Sequence, residues 1–200
     1  MSRPARRIRG EERRRRTEAK LLDAALTVFR ARGYDSATTG EMARAADVAA
    51  GTFYLHFRDK RAAYEAVARR AAHDLLAQWR AAVRPEMGVS ERVLVGLRLA
   101  AEFWRADLER TRLLLEGGPS LGSEGHVRFV DELATVLAAA PRARRPVPPR
   151  TLALLVAGLG IELGRLIAAR PGAPETEELI RLVRRSLTHL DGAPTRLRTA

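Results

Sequence analysis

The sequence predicts an all-α fold in two parts: a compact three-helix head and, behind it, a bundle of about six helices. Three observations point there. Apolar residues recur at helical spacing in segment after segment and nowhere alternate for long with the period of two that marks a strand. Gly and Pro cluster between those segments, as helix stops do. Residues 37–60, "ATTGEMARAADVAAGTFYLHFRDK", read as two short helices parted by a very tight break.

Residues 1–16 are expected to form a disordered basic arm. From Thr17 onward, Leu21, Leu22, Ala25, Val28 and Phe29 fall on one helix face, and Gly33 stops that helix. Thr38-Thr39-Gly40-Glu41 has the form of a capping box, with Thr38 accepting from the backbone and Glu41 reaching back. It opens a helix from about Thr39 to Ala46. Asp47 sits at the break, where a left-handed residue is expected and Asp tolerates that conformation better than most. A very short helix spans about Ala50 to Phe57, and a long one runs from about Asp59 to Val83, with Tyr64, Val67, Ala71, Leu75 and Trp79 on one stripe.

Pro85 and Gly88 end that helix, and Ser90 is the expected cap of the next, whose stripe is Val93, Leu97, Ala101, Trp104 and Leu108. "LERTRLLLE" reads as a separate short helix and residues 117–125 as a loop. Val127, Val130, Ala134 and Leu137 mark a helix to about Ala140. A basic, proline-rich connection over 141–150 leads to two last helices, about 150–169 and 175–190. The expected divisions are a head over 17–62, a body over 63–191 and a disordered tail over 192–200.

Two hundred residues suffice to bury a real core. The absence of cysteine excludes a disulfide framework, thiolate metal sites and a cysteine nucleophile. No signal-peptide pattern follows the charged start. The most apolar run, residues 152–161, is about half the ~20 residues a membrane span needs, so the expected compartment is the cytosol, with no membrane partner. Net charge is +12, which suits an anionic partner. Residues 1–16 hold eight Arg against Glu11 and Glu12, whereas residues 17–60 balance six basic against six acidic side chains. Yet 34 of the 36 basic residues are Arg, and a codon bias would give the same excess. Charge alone therefore does not establish nucleic-acid binding.

The short helix is more informative. At 100° per residue, Phe53 and Phe57 coincide and point to the core, while Gly51 and Leu55 lie opposite, flanked by Thr52, Tyr54 and His56. Glycine costs a helix interior roughly 0.5–1 kcal/mol relative to alanine. That cost has a purpose if the bare flank must approach a phosphate backbone inside a groove about as wide as the helix.

"LLDAALTVFRARGYDSATTGEMARAADVAAGTFYLHFRDK" closely resembles the DNA-binding head of the TetR (tetracycline-repressor) family of bacterial transcriptional regulators. The resemblance covers about residues 17–64 and includes Ala25 and Phe29, Gly33-Tyr34, the paired threonines, Met42-Ala43, Gly51-Thr52-Phe53-Tyr54, His56-Phe57 and Lys60. It implies that Thr38 and Thr39 fix the second helix to a phosphate, and that Gly51, Thr52, Leu55 and His56 face the major groove. It also implies that Tyr54 and Lys60 bind the DNA backbone. Two positions depart from the family pattern: Ala49 stands where a capping serine is usual, and Asp47 where glycine is. The recognition helix also lacks Arg, Asn and Gln, so specificity would lean on Leu55 against thymine methyls, on His56 and on DNA shape. Arg13–Arg16 read either as a solvated tail or as an arm along the minor groove.

The small residues Ala153, Ala157, Gly160, Gly164 and Ala168 form a line that a neighbouring helix can approach closely. The family resemblance makes it a homodimer interface; packing within one chain is the alternative. Trp79, Phe103, Trp104 and Phe129 could line a cavity for an apolar small-molecule effector or be ordinary core. Glu162 could meet a cationic ligand or pair with Arg165. The four histidines show no metal-ligand spacing, and no catalytic grouping or cofactor motif is legible. The sequence thus points to a non-enzymatic regulator: a homodimeric repressor released from a double-stranded DNA operator by an effector of unknown identity, needing no cofactor. The alternative is a helical regulator or interaction module without an effector.

Overall fold

The computed structural model describes residues 3–115, 123–141, 147–172 and 174–187, and the expected tail at 192–200 lies outside them. The described residues form helices α1 (Arg3–Ser36), α2 (Thr39–Ala45), α3 (Ala50–Tyr54), α4 (Lys60–Ala82), α5 (Val89–Ala106), α6 (Leu108–Leu115), α7 (Ser123–Ala138), α8 (Pro149–Ala169) and α9 (Glu175–Leu187). They divide into two compact units, the boundary falling inside α4 between Arg70 and Ala71.

In the first unit Leu21, Ala25, Phe29, Met42, Phe53, Ala63 and Tyr64 are essentially without exposure. Phe29 stacks on Tyr34, and Tyr64 meets both edge-on at 5.6 and 5.2 Å between centroids. Burial pushes the Tyr64 hydroxyl pKa up to about 12, with Tyr34 adding to the effect. These contacts explain why the boundary lies beyond residue 62: the opening turns of α4 belong to the head's own core. Gly33 breaks α1 with φ 73° and ψ 169°, a conformation essentially reserved for glycine. The expected disordered arm is corrected over its described part, because α1 is helical from Arg3. Arg, Ala and Glu are strong helix formers, and Glu11 and Glu12 stand four residues before Arg15 and Arg16.

In the second unit α8 packs against α5, α6 and α7. Leu97, Val130, Leu133, Leu137, Leu152, Val156 and Leu163 form the core with Trp79. Ser90 is not the cap of α5: Gly88 holds that place, its N–H donating to the Glu91 carboxylate at 3.2 Å, while the Ser90 hydroxyl donates to the Leu187 carbonyl. Arg92 is 3% exposed, and its guanidinium donates to the carbonyls of Arg84, Pro85, Met87 and Val136 at 3.0–3.2 Å. It thereby satisfies backbone acceptors near the end of α7 and in the α4–α5 connection, which helical bonding leaves open.

The apolar stretch is longer than expected: the most apolar 18 residues of the 21-residue α8 have a mean hydropathy of 1.9, long and apolar enough to cross a membrane. Its packing accounts for that composition, since Leu152, Ala153, Val156, Ala157, Leu163, Ile167 and Ala168 are buried against neighbouring helices.

The small-residue line of α8 is corrected as an interface between copies. Ala153, Ala157 and Ala168 are buried within the chain. A methyl at Gly164 would come within 3 Å of Leu115 and the Trp104 indole, and Gly160 faces Ala100. At Gly160 and Gly164 the helices received are therefore α5 and α6 of the same chain. The aromatic cavity is corrected too. Trp79 packs on Gly96 and donates to the Arg92 carbonyl; Trp104 donates to the Gly160 carbonyl and meets Phe103 edge-on. Trp79 and Phe129 belong to one apolar cluster and Trp104 to another, so the structure does not gather the four rings around one space. Glu162 is exposed and pairs with Arg165 at 2.8 Å.

Candidate nucleic-acid interface

Local backbone chemistry builds the site. The Thr38 hydroxyl accepts from the Glu41 N–H at 3.2 Å, and the Glu41 carboxylate accepts from the Thr38 N–H at 3.0 Å, closing the capping box. The carboxylate also accepts the Thr38 hydroxyl proton at 2.9 Å. These side-chain and backbone bonds from Thr38 hold the Glu41 pKa below its ordinary value, and the nearby Arg32 and Arg44 pull the same way. Residues 46–49 make the turn. Asp47 takes the left-handed conformation at φ 55°, as expected, and its N–H donates to the Arg44 carbonyl.

Ala49 caps α3 with its backbone alone, the Thr52 N–H reaching its carbonyl at 2.8 Å. The helix is shorter than expected, ending at Tyr54, because bonds from Leu55 to Thr52 and from His56 to Phe53 tighten its last turn. The wheel still holds: Phe53 and Phe57 are buried, while Tyr54 is 58% and Leu55 73% exposed. Nothing lies within 4 Å of where a Gly51 side chain would stand. Thr52 and His56 are half-buried beside that open flank.

A side-chain hydrogen bond also joins the two helices, and the sequence did not disclose it. The Thr39 and Tyr54 hydroxyls share a hydrogen bond at 2.9 Å across fifteen positions. The start of α2 and the end of α3 are thereby presented together, with Tyr54 held in place. Lys60 stands at the first position of α4, as expected. Its ammonium donates to the Asp35 carbonyl at 2.8 Å and sits 4.7 Å from the centre of the Tyr34 ring. One of its three donors is thus used in fastening α1 to α4. The structure brings Thr38, Thr39, Gly51, Thr52, Tyr54 and Leu55 onto the exposed portion of α2 and α3. It leaves Ala153–Ala168 and the aromatic set out of any comparable site.

A capped helix, a four-residue turn and a short helix with one bare flank make a helix-turn-helix, the class of head that lays its second helix in a DNA groove. A sequence profile described as "Bacterial regulatory proteins, tetR family" matches residues 21–67. Over those residues the head is similar to the DNA-binding heads of the tetR family of bacterial regulatory proteins.

A curated relative, an uncharacterized HTH-type transcriptional regulator TtgW of Pseudomonas putida, is 41% identical over 59 residues. That alignment covers 30% of this chain and 44% of the relative, so the chain spans less than half the length of that protein in the match. Solved structures match over most of the chain. The fatty acid degradation regulator FadR from Bacillus halodurans gives a TM-score of 0.65 at 19% identity, covering 88% of this chain and 99% of that one. FadR from Bacillus subtilis in complex with stearoyl-CoA gives 0.64 at 15%, with the same coverage. A tetR-family regulatory protein from Rhodococcus RHA1 gives 0.61 at 22%, covering 89% and 98%. At these identities the likeness is one of fold.

Proposed function

We propose that the chain is a homodimeric, sequence-specific regulator of transcription that binds a double-stranded DNA operator through α2 and α3 and acts as a repressor released by a small-molecule effector. The observation that carries this reading is the open Gly51 flank beside Leu55 and the bridged Thr39 and Tyr54 hydroxyls. Gly51, Thr52, Leu55 and His56 would face bases, and Thr38, Thr39, Tyr54 and Lys60 would hold phosphates. Dimerisation places two such heads on half-sites related by a two-fold axis. Its surface is the outward side of α8 and α9, where Leu155 and Leu182 are each 60% exposed, rather than the buried small-residue line.

Support for an effector comes from the FadR likeness, one of those structures holding stearoyl-CoA. The second reading, a regulator with no effector, draws on the packed state of Trp79 and Trp104, whose ring nitrogens already donate to carbonyls. Selection of tight binders from a random duplex pool tests the proposal. Enrichment of an inverted repeat, with half-sites about one helical turn apart, is expected; a pool left unenriched overturns it. Screening metabolites against the selected complex then decides between the two readings, release by any one of them favouring the first.

A further inference from the structure

We propose that Thr39 and Tyr54 hold one phosphate between them rather than one each. The Tyr54 phenol donates to the Thr39 hydroxyl, and Thr39 gives its own proton to a single DNA phosphate oxygen. This rests on the DNA-binding reading above and changes the part Tyr54 plays in it, from a direct contact to a positioning residue.

Donor protons are scarce at this face. A phosphate oxygen only accepts, so every hydroxyl that binds one must have a proton to give. Thr38, Thr39 and Tyr54 carry three such protons between them. The Thr38 hydroxyl donates to the Glu41 carboxylate at 2.9 Å while accepting from the Glu41 N–H at 3.2 Å. That carboxylate also accepts the Thr38 N–H at 3.0 Å and lies 3.5 Å from the Arg32 guanidinium, which keeps it charged and accepting. The Thr38 proton is therefore spent. Thr39 and Tyr54 meet at 2.9 Å, and a bond between two hydroxyls uses one of their two protons. One proton remains for three hydroxyls.

Acidity assigns that proton to Thr39. A phenol is the stronger acid and an aliphatic hydroxyl the better acceptor, so Tyr54 donates within the pair. The Tyr54 ring stands edge-on to Phe53, with centroids 5.4 Å apart, and Phe53 is fully buried. Ring and hydroxyl are thus fixed before any duplex arrives, although Tyr54 is largely exposed. In a chain of hydrogen bonds each polarises the next, so a Thr39 hydroxyl that accepts from the phenol donates more strongly than one alone. The phosphate charge strengthens the outer bond further. Thr39 is the first residue of α2 and Tyr54 the last of α3, so one phosphate bears on both helices through this pair.

Fluorescence-anisotropy titration of the selected duplex tests the shared contact, with an uncharged methylphosphonate placed at one linkage at a time. Thr39→Val should weaken binding by at least about tenfold, as loss of a bond to a charged acceptor does, and Thr39→Ser should restore it. Tyr54→Phe should weaken it by about three- to tenfold. The double variant should bind no worse than Thr39→Val, because Tyr54 acts only through Thr39. Neutralising one particular linkage should abolish the effect of both substitutions. Titration well below each variant's melting temperature keeps unfolding out of the comparison. If the two losses multiply in the double variant, or map to two linkages, Tyr54 holds a phosphate of its own and the proposal is overturned with the DNA reading intact. Full-strength binding by Tyr54→Phe alone overturns it too. If neither substitution nor any neutral linkage alters binding, the DNA reading beneath it falls as well.

Discussion

Replacing Gly51 by alanine should move fold stability and DNA affinity in opposite directions. Gly51 lies inside α3, and among the described residues only Gly33 and Asp47 have positive φ, so alanine fits its backbone. A methyl there meets nothing within 4 Å. The substitution therefore removes only the helix penalty of glycine, a gain of about 0.5–1 kcal/mol. For a chain of this size that corresponds to a rise of roughly 1–4 °C in Tm. The bound state is different. The major groove is about 12 Å wide, and a helix with its side chains spans about 10–12 Å, so the bare flank supplies the clearance. A methyl that displaces the helix stretches the bonds from Thr39, Thr52 and Tyr54 together. Losing the equivalent of one or two of them weakens affinity by about tenfold or more. Thermal melts and fluorescence-anisotropy titration of a selected duplex read the two effects separately. An alanine variant that melts higher and binds DNA undiminished would refute the docking geometry; one that melts lower would refute the open surroundings.

Arg92→Met should cost about 3–5 kcal/mol, because four buried or half-buried carbonyls lose their shared donor. Urea unfolding should show this, with Arg92→Lys recovering only part of it. The lowered pKa of Glu41 means its folded form holds the carboxylate charged to a lower pH than the unfolded chain does. Its contribution is present above the ordinary glutamate pKa, about 4.3, and is lost as pH falls through the folded value. A carboxyl NMR titration should place that midpoint below the ordinary value, and Thr38→Val should raise it, since Thr38 is the principal cause. A double-mutant cycle on Thr39→Val and Tyr54→Phe should give a coupling of about 0.5–1.5 kcal/mol in denaturant unfolding, the value of one hydrogen bond.

What could be read from the sequence was what neighbouring residues decide among themselves. Thr38 with Glu41 is a backbone device complete within four positions. The left-handed Asp47 follows from local conformational preference, and the inward Phe53 and Phe57 from helical spacing. What could not be read depends on which helix arrives from elsewhere. The line Ala153 to Ala168 announces a close approach, but nothing in it distinguishes Trp104 and Leu115 of the same chain from a second copy. Four rings in a composition do not reveal whether they line a space or fill it; the glycines at 96 and 164 that receive Trp79 and Trp104 show the latter. Arg92 looks like one more arginine until the α4–α5 connection and the end of α7 converge on it. The Thr39–Tyr54 bond likewise waits on the crossing of α2 and α3. The helical start of α1 was hidden for a different reason: its charge suggested solvent, whereas its propensities favour helix.

Leu55→Glu offers the most direct test that the exposed side of α3 enters duplex DNA. Leu55 is 73% exposed, so the substitution should leave the melting curve within about a degree while placing a carboxylate against the groove. Anisotropy titration of the selected duplex should then show affinity falling by more than about a hundredfold. Full-strength binding by a normally folded Leu55→Glu protein would contradict the account at its centre.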